Sequence, residues 1–132
     1  MFTTSLSLDV NRFEALGALQ EDGQPDVLAE MVGLFVDETA GWLTDARHAA
    51  ESGDLIALGR AAHSLKGACA TIGADRMRAQ AAGIEAALAA GRVSETPSLV
   101  DALAEEFRHV RTLLGSYARG ARGGKGAASA AK

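Results

Sequence analysis

Asp54-Leu55-Ile56-Ala57-Leu58-Gly59-Arg60-Ala61-Ala62-His63-Ser64-Leu65-Lys66-Gly67-Ala68-Cys69-Ala70-Thr71-Ile72-Gly73 is the stretch on which the fold turns. Leu58, Ala62, Leu65, Cys69 and Ile72 recur at spacings of four, three, four and three. That is the period of one buried stripe on an α-helix, not the alternation of a strand. Asp54 stands where an N-cap belongs and Gly73 where a helix stops. His63 falls beside the stripe, which predicts an imidazole on the rim or in solvent. Residues three and four apart share a helix face. Gly59, Lys66 and Gly67 therefore flank His63, with Ala70 two turns on.

Working outward, the same period recurs on both sides. Leu28, Val32, Phe35, Thr39, Trp42 and Leu43 predict a helix from Asp26 to about Glu51, with Pro25 suited to its first turn and Ser52-Gly53 ending it. Met77, Ala81, Ile84 and Leu88 predict another, stopped by Gly91. Thr96 is read as a cap and Pro97 as the first position of a last helix carrying Leu99, Leu103, Phe107, Val110, Leu114 and Tyr117 inward. Asp9, Val10, Phe13 and Leu16 predict a short extra helix at the N-terminus. Short connections make successive helices antiparallel neighbours. The predicted fold is all-α: an antiparallel up-down four-helix bundle with an additional short N-terminal helix, over residues 1–118. Residues 119–132, rich in Gly and Ala and basic, offer nothing to bury and are predicted to be a disordered tail.

Composition narrows the function classes. Hydrophobic residues make up 48% of the 132, enough for one real core, while aromatics at 5% and sparse β-branched residues disfavour a sheet. The net charge of −4 hides an acidic body, because Arg119, Arg122, Lys125 and Lys132 all lie in the tail; an acidic body argues against nucleic acid as a partner. No apolar run reaches the ~20 residues of a membrane span, and the first ten residues lack the basic start of a signal peptide, so cytoplasm is the expected compartment. A single cysteine, Cys69, excludes an internal disulfide and reads as a small buried thiol. His48, His63 and His109 have no zinc-ligand spacing, and no nucleotide-binding glycine loop is present, so neither a metal site nor an ATP site is expected.

The histidine face carries the chemistry. Two mid-helix glycines, Gly59 and Gly67, each cost roughly 1 kcal/mol against alanine. Close approach of another molecule explains them; close helix packing is the alternative. Lys66 is the only lysine before Lys125 and reads as a mobile point charge for phosphate oxygens, or else as a solvated surface charge. A neutral imidazole is a nucleophile that needs no strong base, unlike serine. Asp75 and Glu85, on the following helix, are candidates to orient His63, with simple solvation of a surface carboxylate as the alternative.

The run Ala62-His63-Ser64-Leu65-Lys66-Gly67, then Ile72-Gly73, Met77 and Ile84-Glu85, resembles the histidine-containing phosphotransfer (HPt) domain family, over roughly residues 9–117. Met77 stands where that family usually has leucine. The resemblance implies a phosphorelay intermediate and not an enzyme: a stoichiometric carrier in which His63 accepts a phosphoryl group from the aspartate of a response-regulator receiver domain, or returns it. It implies that Lys66 steadies the phosphoryl oxygens and that Gly67 leaves room for the receiver's active-site loops; helical spacing, apart from the resemblance, adds Gly59 and Ala70 to that smooth docking face. Any magnesium ion belongs to the receiver, and the chain needs no cofactor of its own. Receiver domains or a hybrid sensor histidine kinase are the expected partners, and a monomer is expected. Two other readings stay open: a phosphotransfer module charged by a chemotaxis-type histidine kinase catalytic domain, and a non-catalytic helical adaptor.

Overall fold

The computed structural model describes residues 7–9, 11, 14, 15, 18 and 27–130, the last stretch as backbone only from 117. Four helices carry the chain: α1 (Val27–Ser52), α2 (Leu55–Ile72), α3 (Asp75–Ala89) and α4 (Thr96–Ala130), with a 3₁₀ turn at Val93–Glu95 leading into the last. Each packs on two neighbours: α1 on α2 and α4, and α3 on α2 and α4. The four apolar stripes so meet in one closed core, as the predicted bundle requires. Leu58 and Leu65 of α2, Met77 and Ile84 of α3, and Leu103 and Leu114 of α4 are fully buried. Phe35 of α1 meets Phe107 of α4 edge-on, ring centroids 6.3 Å apart.

Local chemistry sets the boundaries of α2, the helix that carries His63. The Asp54 carboxylate accepts a hydrogen bond from the Ala57 N–H at 3.1 Å. At the other end Gly73 takes φ 85°, a left-handed conformation that any side chain would resist, and the N–H groups of Gly73 and Ala74 both donate to the Cys69 carbonyl. Only Gly73 and Ala74 separate α2 from α3. The Asp9 N–H donates to the Gly73 carbonyl at 2.7 Å and Leu8 is buried, so residues 7–9 are fastened over this corner.

Three details differ from the sequence-based expectation. Thr96 is not a cap: its φ of −65° and ψ of −36° are already helical, and its hydroxyl donates backward to the Val93 carbonyl at 2.8 Å, because the 3₁₀ turn winds directly into α4. The inward edge at the start of α4 is Val100, with Leu99 only half-buried, and on α1 Trp42 is likewise half-buried. The backbone of α4 also continues as helix to Ala130, past Tyr117 and through the stretch expected to be disordered. No proline interrupts it, and each residue added to an existing helix costs far less than starting one. Val10, Phe13 and Leu16 of the expected N-terminal helix, and Pro25 and Asp26 before α1, lie outside the described residues; Asn11, Glu14, Ala15 and Ala18 are helical and exposed.

Candidate functional site

The His63 side chain is 76% exposed on the outer face of α2, while Ala62 and Leu65 on either side are wholly buried. The antiparallel corner supplies its partner. His63 and Glu85 each lie eleven residues from Ala74, so the two are level across the α2–α3 hairpin, about 16 Å from the turn. One carboxylate oxygen of Glu85, Oε2, lies 3.3 Å from His63 Nδ1, and the other, Oε1, lies 2.7 Å from Lys66 Nζ. Glu85 therefore holds the imidazole and the ammonium at once.

The electrostatics follow from that bridge. The hydrogen bond from Lys66 pulls the Glu85 carboxyl below its ordinary range; partial burial opposes this and the His63 hydrogen bond adds to it. An ionised carboxylate can only accept, so the Nδ1 contact requires the proton on Nδ1. In the neutral ring the lone pair then sits on Nε2, the nitrogen away from Glu85.

The remaining predicted site residues divide. Gly67 is exposed, and a Cβ there would meet nothing within 4 Å. Gly59 is half-buried and a Cβ would make ordinary van der Waals contact with Leu88 Cδ1 at 3.7 Å, so it faces α3 as well as solvent, and packing against α3 does not by itself demand a glycine. Ala70 is half-buried on the same side of α2. Asp75, at the first position of α3, makes no hydrogen bond or ion pair with His63. Of the two candidate carboxylates, only Glu85 reaches the ring. Lys66, read from sequence as a mobile charge, is held in an ion pair instead.

Sequence reasoning did not single out the Lys66–Glu85 pair. The signal was available in the hairpin arithmetic, since Lys66 lies one turn from the position level with Glu85. It also passed over Arg60, exposed and one turn before His63, which lines a groove between α1 and α2 with Trp42, Asp45, His48 and Ser64. His48 and His109 are exposed, and among the described residues no group of His, Cys, Asp and Glu is placed to hold a metal ion. Burial pushes the Cys69 thiol up to about 12, which removes it as a nucleophile.

An imidazole 76% exposed on a helix face, with Nδ1 tied to Glu85, suits a reacting group presented by another macromolecule.

Comparison with known proteins gives concordant matches. The family model described as Hpt domain matches residues 30–113. Histidine-containing phosphotransfer proteins 2 and 5 of Arabidopsis thaliana are 30% and 32% identical to the chain over 71 residues, 52% of it in each case and 46% and 45% of the relatives. The chain thus spans about half the length of the curated relatives it matches. The crystal structure of histidine-containing phosphotransfer protein B from Pseudomonas aeruginosa is similar with a TM-score of 0.76 and 27% identity, over 88% of this chain and 97% of that one.

Proposed function

The chain belongs to the Hpt domain family, and from that premise we propose that it is a phosphorelay intermediate whose His63 shuttles a phosphoryl group to and from the aspartate of receiver domains. His63 Nε2 attacks the phosphorus of the partner's aspartyl phosphate. The N–P bond forms as the acyl P–O bond breaks, and the partner's carboxylate leaves with the electron pair. Nε2 carries no proton to lose. The ring becomes a phosphorylated imidazolium whose positive charge is spread toward Nδ1–H, where Glu85 accepts the hydrogen bond. Return of the group to an aspartate reverses each step. Catalysis is mostly positioning and charge stabilisation across a protein–protein interface.

The observation that carries this reading is the exposed His63 with Nδ1 tied to Glu85 at 3.3 Å. Lys66 has the role of meeting phosphoryl oxygens once the partner draws it from Glu85. Gly67 leaves room for the receiver's loops, with Ala70 and the outer edge of Gly59 beside it. The magnesium ion that receiver chemistry uses sits on the partner, and this chain acts as a stoichiometric carrier with no ATP site. Response regulators and hybrid sensor histidine kinases are the partners this reading implies. The bundle of residues 1–118 is the transfer unit, monomeric, with 119–132 outside it. We assign the protein to the cytoplasm, in keeping with the lack, among the described residues, of any helix long and apolar enough to cross a membrane.

The test is direct. Receiver domains encoded in the same genome are charged with acetyl phosphate and mixed with the protein. Acid-labile, base-stable label is expected on the unchanged chain and none on His63→Gln. Label on the His63→Gln variant removes the assignment.

A further inference from the structure

The cation expected to meet the phosphoryl group is already engaged. Lys66 Nζ lies 2.7 Å from Glu85 Oε1, so in the resting protein the two charges cancel. The surroundings do not help: residues 1–118 contain nine basic against seventeen acidic side chains. A dianionic phosphoryl group carried by a partner therefore approaches an acidic molecule whose nearest ammonium is occupied. At a Debye length of about 8 Å, only charges close to His63 can offset that repulsion.

Arg60 is placed to do so. It lies three residues before His63, a spacing that puts the two Cβ atoms about 5–6 Å apart. The two residues share a face of α2, with Arg60 on the turn N-terminal to His63. Arg60 is exposed and makes no ion pair among the described residues. Asp45 and His48 of α1 and Asp54 at the start of α2 line the same groove, and none of them is paired with it. Its guanidinium offers a planar fork of donors that matches phosphate oxygens, and it is more weakly hydrated than an ammonium. We propose that Arg60 is the receiving cation of the site: it contacts the phosphoryl oxygens on the incoming receiver domain and steers them to His63 Nε2 before Lys66 is released from Glu85. The proposal rests on the phosphocarrier reading and adds to it a residue and an order of events.

The experiment compares the unchanged protein, Arg60→Gln and Arg60→Lys. The second-order rate constant for transfer from acetyl-phosphate-charged receiver domains is measured at low and high salt. In parallel, the Kd for the same receivers is measured with and without beryllofluoride, which mimics the acyl phosphate. Arg60→Gln is expected to slow transfer by about five- to tenfold at low salt, with a smaller loss at high salt. It should weaken binding of the beryllofluoride-loaded receiver and leave the unloaded one unchanged. Arg60→Lys, which keeps the charge but not the fork, should recover about half of the loss on a logarithmic scale. A transfer rate within twofold of the unchanged protein at low salt overturns the proposal. An equal loss of affinity for loaded and unloaded receivers also overturns it, because the contact is then with the receiver's own side chains. If the unchanged protein takes no label, the phosphocarrier reading falls and this proposal falls with it; labelled protein that is indifferent to Arg60 removes this proposal alone.

Discussion

Replacing Glu85 by glutamine separates what the bridge does for the imidazole from what it does for the fold. The carboxylate accepts from His63 Nδ1 at 3.3 Å and from Lys66 Nζ at 2.7 Å. A glutamine has one acceptor oxygen, so it can serve one of these donors and presents an NH₂ to the other. A hydrogen bond to a charged group is worth about 1.5–3 kcal/mol when desolvated, but the His63 side chain is 76% exposed and that of Glu85 29%. Solvent screening brings the imidazole contact down to about 0.5–1 kcal/mol. That corresponds to a roughly two- to fivefold change in the ratio of Nδ1–H to Nε2–H tautomer, at 1.4 kcal/mol per factor of ten. Glu85→Gln is therefore expected to lower the ratio of Nδ1–H to Nε2–H ring by that factor, read from ¹⁵N shifts of the His63 ring in the neutral form. The transfer rate should fall in proportion to the Nδ1–H share, by at most that factor, since only the Nδ1–H tautomer offers Nε2 to phosphorus. A tautomer ratio unchanged to within 1.5-fold would refute the reasoning, whatever happened to the rate.

The same substitution has a signature in acid. The Glu85 carboxyl is held below its ordinary range in the folded chain, first by the Lys66 hydrogen bond. Its contribution to stability is therefore fully present above the unfolded carboxylate pKa of about 4.3 and is lost as pH falls through the lower folded value. Because the pair is partly exposed, that contribution is about 1 kcal/mol or less. Urea midpoints of the unchanged protein and Glu85→Gln should differ at neutral pH and draw together as pH falls below about 4.3.

Two further outcomes follow from the geometry. Gly67→Leu should leave the bundle folded and raise its stability by up to about 1 kcal/mol in urea, since a Cβ there meets nothing within 4 Å and leucine is the better helix former; transfer from a charged receiver should nonetheless slow at least about tenfold, by steric exclusion, and unchanged kinetics would show that this face does not meet the partner. Leu65→Ala, at a wholly buried position two residues from His63 but on the opposite side of α2, should cost about 2–5 kcal/mol in urea, and a loss below about 1 kcal/mol would mean that the core is not where it is described.

How far the sequence could be read depended on the range of the interaction. The stripe of Leu58, Ala62, Leu65, Cys69 and Ile72 was legible because period and burial are set within one helix, and all five are buried. Gly73 was legible as a stop for the same reason. The exposure of His63 followed from its place beside the stripe. What lay between helices was less visible. That Lys66 would be paired with Glu85, and that Gly59 would face Leu88, depend on how α2 and α3 lie against each other, which no single-helix period encodes. Thr96 misled because capping propensity describes the residue alone, while its dihedrals were decided by the 3₁₀ turn before it. Arg60 drew no notice because an exposed arginine on a helix looks like any solvated charge until its neighbours are seen to be paired and it is not.

The two-residue corner at Gly73-Ala74 has a further consequence. Each residue of a helix turns its successor by about 100°. A turn of α3 by one residue's worth would swing Glu85 about 100° away from the imidazole, and it would carry Met77 and Ile84 out of the core at the same time. The stripe that fills the core thus also aims the carboxylate: packing and chemistry share one register, and neither can drift without the other.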